Sequence, residues 1–341
     1  MLAPLDNLEI LAIVDNEVDP MSPAPSCVSV TGRLGDVGFG KGKAVGQERG
    51  GGEKRVMEAG MEQLCCGAHG LSLMIVATKD GQPRTLLFDT GPTESIWSSN
   101  VTRLQPALHT ISHIHLSHWH RDHSGGMLAA ISMINSSKNS QSNSTPLIVD
   151  LHPARPTYRG VQTPVGILSL EADPTFKEMK EAGGVVEKNG TAHEVLHSYF
   201  LVSGEIPRVT SYEHGIKRGV RFENGSWIPD EDILDERFVV CHVKDKGLVL
   251  FTGCSHAGVV NAAKHSLALT DNSIPLYAII GGYHLADAEE AQIEATVQDL
   301  KELGVKVLIA GHCTGWRAKF KIEKEMPGVL VPSFVGIKTV V

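Results

Sequence analysis

Three histidines and an aspartate fall within six consecutive positions of this chain. The stretch HWHRDH, residues 118–123, follows an apolar, β-leaning run, and two glycines come shortly after it. Alternate residues of an extended chain share a face, so His118 and His120 can point to one side, while Asp122 and His123 reach a second point after the turn. Imidazole and carboxylate groups are ligands for zinc, and also for manganese or iron. The stretch therefore predicts a metal site at the end of a strand.

Three more histidines stand in a similar local context, each after an apolar strand and a glycine. His256 lies in FTGCSHAG, His284 in IIGGYHLAD and His312 in IAGHCTG. A site built on a sheet gathers its ligands from loops at strand ends, with rigid strands behind them. These three are therefore the candidates for completing the site. His113 and His115 alternate on the strand that enters the cluster, where burial or hydrogen bonding to the ligands is expected.

The bulk properties indicate a globular protein and bear on the partners it could have. The 341 residues are 42% hydrophobic and 21% charged, and the net charge of −8 argues against nucleic acid as the main partner. No apolar run approaches the roughly 20 residues that cross a bilayer, so no membrane partner is expected. The first residues lack a basic signal-peptide region, which favours a cytoplasmic location. The oligomeric state does not follow from the sequence.

Strands and helices alternate in both halves of the chain, which predicts an α/β protein. Apolar runs on either side of Asp80-Gly81 predict a strand pair, and the pattern around Lys246-Gly247 predicts another. We expect two sheets face to face with helices outside, in one domain over residues 1–341. The glycine-rich segment near 32–52 has few residues that could build a core, and it predicts a flexible insertion.

In these motifs the sequence resembles the metallo-β-lactamase superfamily. SHWHRDHSGG matches the HxHxDH signature at every ligand position, and LLFDTGP matches the Asp-x-Gly that precedes it. Within the superfamily it is most similar to the branch named for dihydropterin–ribofuranosylaminobenzene phosphate synthases. The segments that carry this closer resemblance are AHGLSLMI (68–75), GEIPRVTSYE (204–213), TGCSHAGVVN (252–261), GGYHL (281–285) and GHCTG (311–315).

The resemblance implies a four-layer αββα sandwich with a metal centre at one edge of the sheets. It assigns two groups of three ligands, with zinc as the expected metal, one or two ions, and manganese or iron as alternatives. The first group is His118, His120 and His256, and the second is Asp122, His123 and His312. His256 is assigned in place of the superfamily's usual third ligand, a histidine before the second hairpin, because SGEIPRVTSYE offers none there.

The chain departs from the superfamily pattern at the position of the bridging aspartate. Cys254 stands there, and it is either a thiolate ligand or a buried cysteine. Asp89 is expected to accept hydrogen bonds from a ligand histidine or a loop N–H, or to cap its strand. The glutamate of the branch's EHGLS pattern is Ala68 here, so any role of that glutamate is lost.

The resulting hypothesis is a metal-dependent hydrolase in which metal-bound hydroxide opens a small cyclic amide or ester, such as a benzoxazolinone-like lactam. Asp122 would orient or deprotonate the nucleophile, and His284 would touch substrate or donate a proton, with core packing as the alternative for His284. Glu205 and Arg208 would line the pocket, or form a surface ion pair. A pterin or ribose-phosphate synthase-like transferase and a non-catalytic metal-binding module are the two alternatives.

Overall fold

The structure is a computed structural model that describes residues 2–23, 28–45, 56–142 and 145–341. In chain order its strands are β1 (Pro4–Leu5), β2 (Asn7–Val14), β3 (Val28–Val30), β4 (Lys43–Ala44), β5 (Met57–Glu58), β6 (Ser72–Lys79), β7 (Gln82–Phe88), β8 (Ile111–His115), β9 (Ile148–Leu151), β10 (Tyr158–Thr163), β11 (Gly166–Ser169), β12 (Val185–Lys188), β13 (His193–Val195), β14 (Phe200–Val202), β15 (Gly219–Glu223), β16 (Ser226–Pro229), β17 (Val239–Val243), β18 (Gly247–Thr252), β19 (Leu276–Gly282), β20 (Val307–Gly311) and β21 (Ile337–Val340). The α-helices are α1 (Leu34–Lys41), α2 (Glu94–Leu104), α3 (Arg121–Ser124), α4 (Met127–Ser140), α5 (Phe176–Glu181), α6 (Val259–Ala268), α7 (Glu290–Glu302) and α8 (Trp316–Glu325).

Eight strands form one large sheet, in the order β12-β9-β8-β7-β6-β2-β21-β3. The predicted pair around Asp80-Gly81 is the antiparallel hairpin β6–β7, while β7, β8 and β9 run parallel. The outer face packs against α2, α4 and α5, which bury Trp97, Ile131 and Met179 there. The parallel strands place the chain ends after β7 and β8 at the same edge.

The second large sheet has the order β13-β14-β17-β18-β19-β20, with β1 beside β17. The predicted pair around Lys246-Gly247 is the antiparallel hairpin β17–β18, and β18, β19 and β20 are parallel. Helices α6, α7 and α8 cover its outer face, where Val260, Ile293 and Ile322 are buried.

The inner faces of the two sheets enclose an apolar core. Phe88 of the first sheet and Phe251 of the second are both fully buried, with ring centroids 6.4 Å apart. Burying such a side chain contributes roughly 1.5–3 kcal/mol. With helices on both outer faces, the order of layers is helix, sheet, sheet, helix. The predicted αββα sandwich is confirmed.

A third sheet was not predicted from the sequence. Its four strands have the order β11-β10-β15-β16 and come from residues 158–229. Arg159 on β10 ties this sheet to the histidine loop, because its guanidinium donates to the Trp119 carbonyl oxygen at 2.9 Å and pairs with the buried Asp235.

The glycine-rich segment differs in part from the predicted loop. Residues 34–41 form helix α1, and Lys43–Ala44 pair with β5. Glycine disfavours a helix, but tertiary contacts outweigh this propensity. Lys41 Nζ donates to the Arg103 carbonyl oxygen at 2.5 Å, and Gln63 donates to the Lys41 carbonyl oxygen at 3.2 Å. Residues 46–52 lie outside the described residues, and the flexibility of the segment stays a prediction.

The sequence contains no apolar run long enough to cross a bilayer, and the helices of the structure can be compared with that expectation. Among the residues that the structure describes, none of the helices combines the length and the apolar character that a bilayer crossing requires.

Candidate metal centre

The candidate ligands follow strands whose carboxyl ends meet at one edge of the sandwich. His118 to His123 follow β8 of the first sheet, and Cys254 and His256 follow β18 of the second. His312 comes directly after β20. The parallel order of these strands is the reason that loops far apart in sequence come together.

Three imidazole groups form the first half of the site. His118 Nε2 lies 2.9 Å from His120 Nδ1, and His256 Nε2 lies 3.1 Å from each of these two atoms. All three side chains are buried. Burial lowers the pKa of His120 to about 3 and holds the pKa of the other two well below the ordinary value. The three rings are therefore neutral, with nitrogen atoms that converge on one point.

Four side chains form the second half. Cys254 Sγ lies 3.1 Å from His123 Nε2 and 3.2 Å from His312 Nε2. Asp122 Oδ2 lies 3.3 Å from His312 Nε2 and 3.6 Å from His123 Nε2. Cys254 thus lies among the candidate ligands, as one of the two interpretations of this residue required. We call these seven side chains the ligand cluster: His118, His120, Asp122, His123, Cys254, His256 and His312.

Asp89 holds two of the histidines in one orientation. Its buried carboxylate accepts from His123 Nδ1 at 2.6 Å and from the Ser117 hydroxyl at 2.8 Å. Because that hydroxyl hydrogen is used, Ser117 Oγ must accept from His118 Nδ1, which lies 2.9 Å away. The Nδ1 hydrogens of His118 and His123 are therefore bonded to Ser117 and Asp89, which leaves Nε2 of each ring as the nitrogen available to a metal.

Charge within the second half favours ionised forms. Burial acts to lower the pKa of His123, but the carboxylates of Asp122 and Asp89 outweigh it and raise the pKa to about 9. Burial acts to raise the pKa of Asp122, yet His123 and His312 hold it below the usual range. A carboxylate, a thiol and imidazoles in one buried group form a donor set that fits a divalent transition metal, zinc above all.

Comparison with known proteins places this site in a family. The chain is 30% identical over 271 residues to the 7,8-dihydropterin-6-methyl-4-(β-D-ribofuranosyl)-aminobenzene-5′-phosphate synthase of Methanocaldococcus jannaschii, covering 78% of this chain and 88% of that protein. The chain belongs to the metallo-β-lactamase superfamily, in the branch of this synthase. An uncharacterized protein of the same organism is 26% identical over 259 residues, which are 75% of this chain and 88% of that protein.

Solved structures agree on the superfamily fold. One described as a metal-dependent hydrolase of the β-lactamase superfamily superposes with a TM-score of 0.65, over 97% of this chain and 98% of the other, at 20% identity. No model of a protein family matches the chain.

Two buried carboxylates bind the backbone of the loops that carry His256 and His312. Neither was singled out by the sequence analysis. Glu236 accepts from the backbone N–H of His256 at 2.8 Å and of Ala257 at 2.7 Å. Asp15 accepts from the backbone N–H of His312 at 2.9 Å. Both lie far along the chain from the ligands they fix, so no local pattern marks them. Asp15 directly follows the apolar run LEILAIV, which forms strand β2, and this position is the one signal that could have found it.

Close backbone packing explains the glycines after the histidine motif. A Cβ at Gly125 would lie 1.8 Å from the Pro92 carbonyl oxygen, and one at Gly126 would lie 2.2 Å from the Thr90 carbonyl oxygen. Only glycine fits at these two positions, where the backbone packs closely at the start of helix α4.

His284 lies beside the ligand cluster, at the wall of a large cavity. Its ring centroid is 4.4 Å from that of His256, and its donor atom lies within 4.8 Å of those of Cys254 and His256. The residue is half-buried and lines a cavity of about 670 Å³ between residues 211–218 and 287–292. This position is compatible with the substrate contact predicted for it.

The two predicted substrate-binding residues lie in the loop after β14. The guanidinium of Arg208 is bound by Asp232, through its carbonyl oxygen and its carboxylate, and Glu205 is exposed. Among the contacts of the described residues, neither side chain is paired with the other. Their contact with substrate stays a prediction.

A second group of histidines surrounds Asp150 on the same sheet. Its buried carboxylate lies 3.0 Å from His115 Nδ1, 3.2 Å from His193 Nε2 and 4.0 Å from His113 Nε2. The fully buried guanidinium of Arg237 lies 3.2 Å from the same carboxylate. We call these five residues the Asp150 cluster. The Arg237 guanidinium supplies the cation of this cluster. His113 and His115 are buried in the same cluster and are not bonded to the candidate metal ligands.

Proposed function

We propose that the protein is a metal-dependent hydrolase that opens a small cyclic amide or ester. The observation that carries the proposal is the ligand cluster, in which seven donor side chains from three strand-end loops converge in two adjoining groups. His118, His120 and His256 would hold one ion, and Asp122, His123, Cys254 and His312 a second. Zinc is the metal that this set of imidazole, thiolate and carboxylate donors favours.

Bound zinc would supply a Lewis acid and lower the pKa of water toward about 7. The protein's own residues supply the rest. Asp122 presents a carboxylate that is partly open to solvent, with 18% of the side chain exposed, and it can accept a hydrogen bond from the attacking water. His284 stands at the wall of the cavity, where its ring can contact the leaving part of a substrate. Asp89 and Ser117 hold His123 and His118 in place while charge develops on the reacting substrate.

The cavity beside His284 supports a small molecule as substrate. Its volume of about 670 Å³ falls in the range typical of small-molecule sites. The net charge of −8 favours such a substrate over nucleic acid. Within this class we propose a lactam or lactone, for example a benzoxazolinone-like ring, because hydrolysis of such rings needs only an activated water and a polarised carbonyl.

A synthase-like transferase acting on a pterin or ribose phosphate is the second candidate. Two observations favour it: the 30% identical relative is a synthase of that class, and the same cavity is lined by His214, Lys217 and Arg218. The cationic side chains of Lys217 and Arg218 could bind a phosphate group. Asp287 and Glu289 line the same cavity, however, and Lys217 lies 3.9 Å from Glu289, which reduces the positive charge available to an anion.

The test is a substrate screen with zinc-loaded protein. Lactams, lactones and benzoxazolinones are offered to the wild type, to His120→Ala and to His197→Asn, which changes an exposed histidine outside the cluster. Ring opening by the wild type and by His197→Asn, but not by His120→Ala, would support the hydrolase. Binding of ribose phosphates or pterins with no ring opening would replace it with the transferase. Unfolding on removal of zinc, with neither turnover nor binding, would indicate a metal-binding module.

A further inference from the structure

The loop before β6 places a histidine at the edge of the ligand cluster that the proposed chemistry does not use. His69 Nε2 lies 3.5 Å from Asp122 Oδ2, and the side chain is 68% exposed. Its ring centroid is 4.8 Å from that of His312. His69 therefore lies where Asp122 is open to solvent.

The backbone holds this loop tightly against the Asp122 turn. A Cβ at Gly70 would lie 2.4 Å from the Asp122 carbonyl oxygen and 2.6 Å from Pro92, and Gly70 has a φ of +157°. The Ala68 N–H donates to the Asp15 carbonyl oxygen at 3.0 Å. The position of His69 is thus fixed from both sides.

Asn16 contacts three groups at once, and their chemistry determines which way its amide points. The Gly70 backbone N–H can only donate, so the atom 3.2 Å from it must be Asn16 Oδ1. The same oxygen lies 3.0 Å from His312 Nδ1. The amide nitrogen, which can only donate, then lies 3.2 Å from His69 Nδ1.

These contacts place the hydrogens on both histidines. His312 Nδ1 must carry a hydrogen to donate to the Asn16 oxygen, which leaves the Nε2 lone pair facing the cluster. His69 Nδ1 must accept, so the hydrogen of His69 is on Nε2, facing the Asp122 carboxylate. A hydrogen on both nitrogens of His69 would set two donors against each other.

We propose that Asn16 is a positioning residue that fixes the hydrogens of His312 and His69, and that His69 presents its Nε2–H to a substrate oxygen beside Asp122. The part that concerns substrate rests on the proposed hydrolase function. The part that concerns Asn16 does not, because hydrogen positions and metal affinity are measured without turnover.

Asn16→Asp is the selective variant. A carboxylate still accepts from Gly70 and from His312 Nδ1, but it cannot donate to His69 and accepts from it instead. His69 Nδ1 should therefore carry a hydrogen in this variant, while Nε2 still faces the Asp122 carboxylate. Long-range ¹H–¹⁵N correlation spectra of the zinc-loaded protein, with ¹⁵N-labelled histidine, report the position of each hydrogen. His69 is assigned by its absence in His69→Gln. We expect Nε2–H in the wild type and Nδ1–H in Asn16→Asp, with His312 unchanged. Nδ1–H at His69 in the wild type would overturn the role of Asn16.

The substrate contact has its own readouts. His69→Ala should keep the zinc content of the wild type and lose roughly tenfold to a hundredfold in kcat/KM. His69→Gln, which keeps a donor, should recover part of that loss. Wild-type kcat/KM in His69→Ala would refute the contact.

If the wild type opens none of the rings offered, the hydrolase proposal fails and acetate replaces the substrate as an oxygen probe. Its titration should shift the His69 signals in the wild type, and its Kd should be severalfold weaker in His69→Ala. An equal Kd in both proteins would overturn the contact without reference to activity.

Discussion

Two histidine-rich groups share strand β8, since His113 and His115 lie on the strand and His118 to His123 follow it, and the two groups differ in what they bind. In the Asp150 cluster, His115 and His193 surround a carboxylate that Arg237 already neutralises. In the ligand cluster, the neutral imidazoles of His118, His120 and His256 converge on one another, and the remaining four side chains form a second group beside them. The comparison of the two clusters indicates that the number of histidines alone does not define a candidate metal site. Among the described residues, what separates the two groups is that the side chains of the ligand cluster converge with no arginine among them, whereas Arg237 is built into the Asp150 cluster.

The comparison predicts the largest loss of stability in the Asp150 cluster. Arg237→Met leaves a fully buried carboxylate without its partner, which typically costs 3–5 kcal/mol. Urea unfolding should show this loss, while the metal content of the folded protein stays that of the wild type. Arg221→Met, which removes a partly exposed pair with Asp230, serves as the control and should cost less than about 1 kcal/mol. Loss of metal in folded Arg237→Met would remove the distinction between the clusters.

Burial of His113 in the Asp150 cluster should make the free energy of unfolding depend on pH. Burial lowers the pKa of His113 from 6.5 to about 4. Between these values the unfolded chain binds more protons than the folded one, so the free energy of unfolding falls as the pH is lowered from 6.5 to 4. The fall due to this residue is roughly 3 kcal/mol, from 1.36 kcal/mol per pKa unit. Denaturation at several pH values should show a shallower fall in His113→Leu, and parallel curves for the two proteins would contradict the prediction.

A smaller effect, confined to metal affinity, should follow from Asp89→Asn in the ligand cluster. One carboxylate oxygen accepts from the Ser117 hydroxyl and His123 Nδ1, and the other accepts from the Ser117 backbone N–H at 2.7 Å. An amide has one oxygen only and must set its NH₂ group against one of these donors, so the orientation of His118 and His123 is less well fixed. Loss of such a partner typically weakens metal binding tenfold to a hundredfold. Competition with a chromophoric zinc chelator measures this. Unchanged affinity would mean that the cluster is rigid without Asp89.

The sequence predicts those candidate ligands that lie in short, contiguous sequence patterns. His118 to His123 are contiguous, and His256 and His312 each follow an apolar strand and a glycine, so short patterns suffice to find them. The αββα order followed from the alternation of strands and helices together with the family resemblance.

The residues that sequence reasoning missed act across long separations. Asp15 and His312 are 297 positions apart, and Glu236 is 20 positions from His256. Arg237 gives no sign in the sequence that it is buried beside Asp150. The sheet of residues 158–229 and helix α1 were missed because contacts from elsewhere in the fold, rather than local propensity, stabilise them.

The most direct test of the account is the metal content per chain, measured by inductively coupled plasma mass spectrometry on untagged protein purified without chelator. We expect close to two ions of zinc, manganese or iron in the wild type and at least one fewer in His120→Ala, with His197→Asn equal to the wild type. No metal in the wild type, or equal content in wild type and His120→Ala, would contradict the assignment of the ligand cluster as a metal centre.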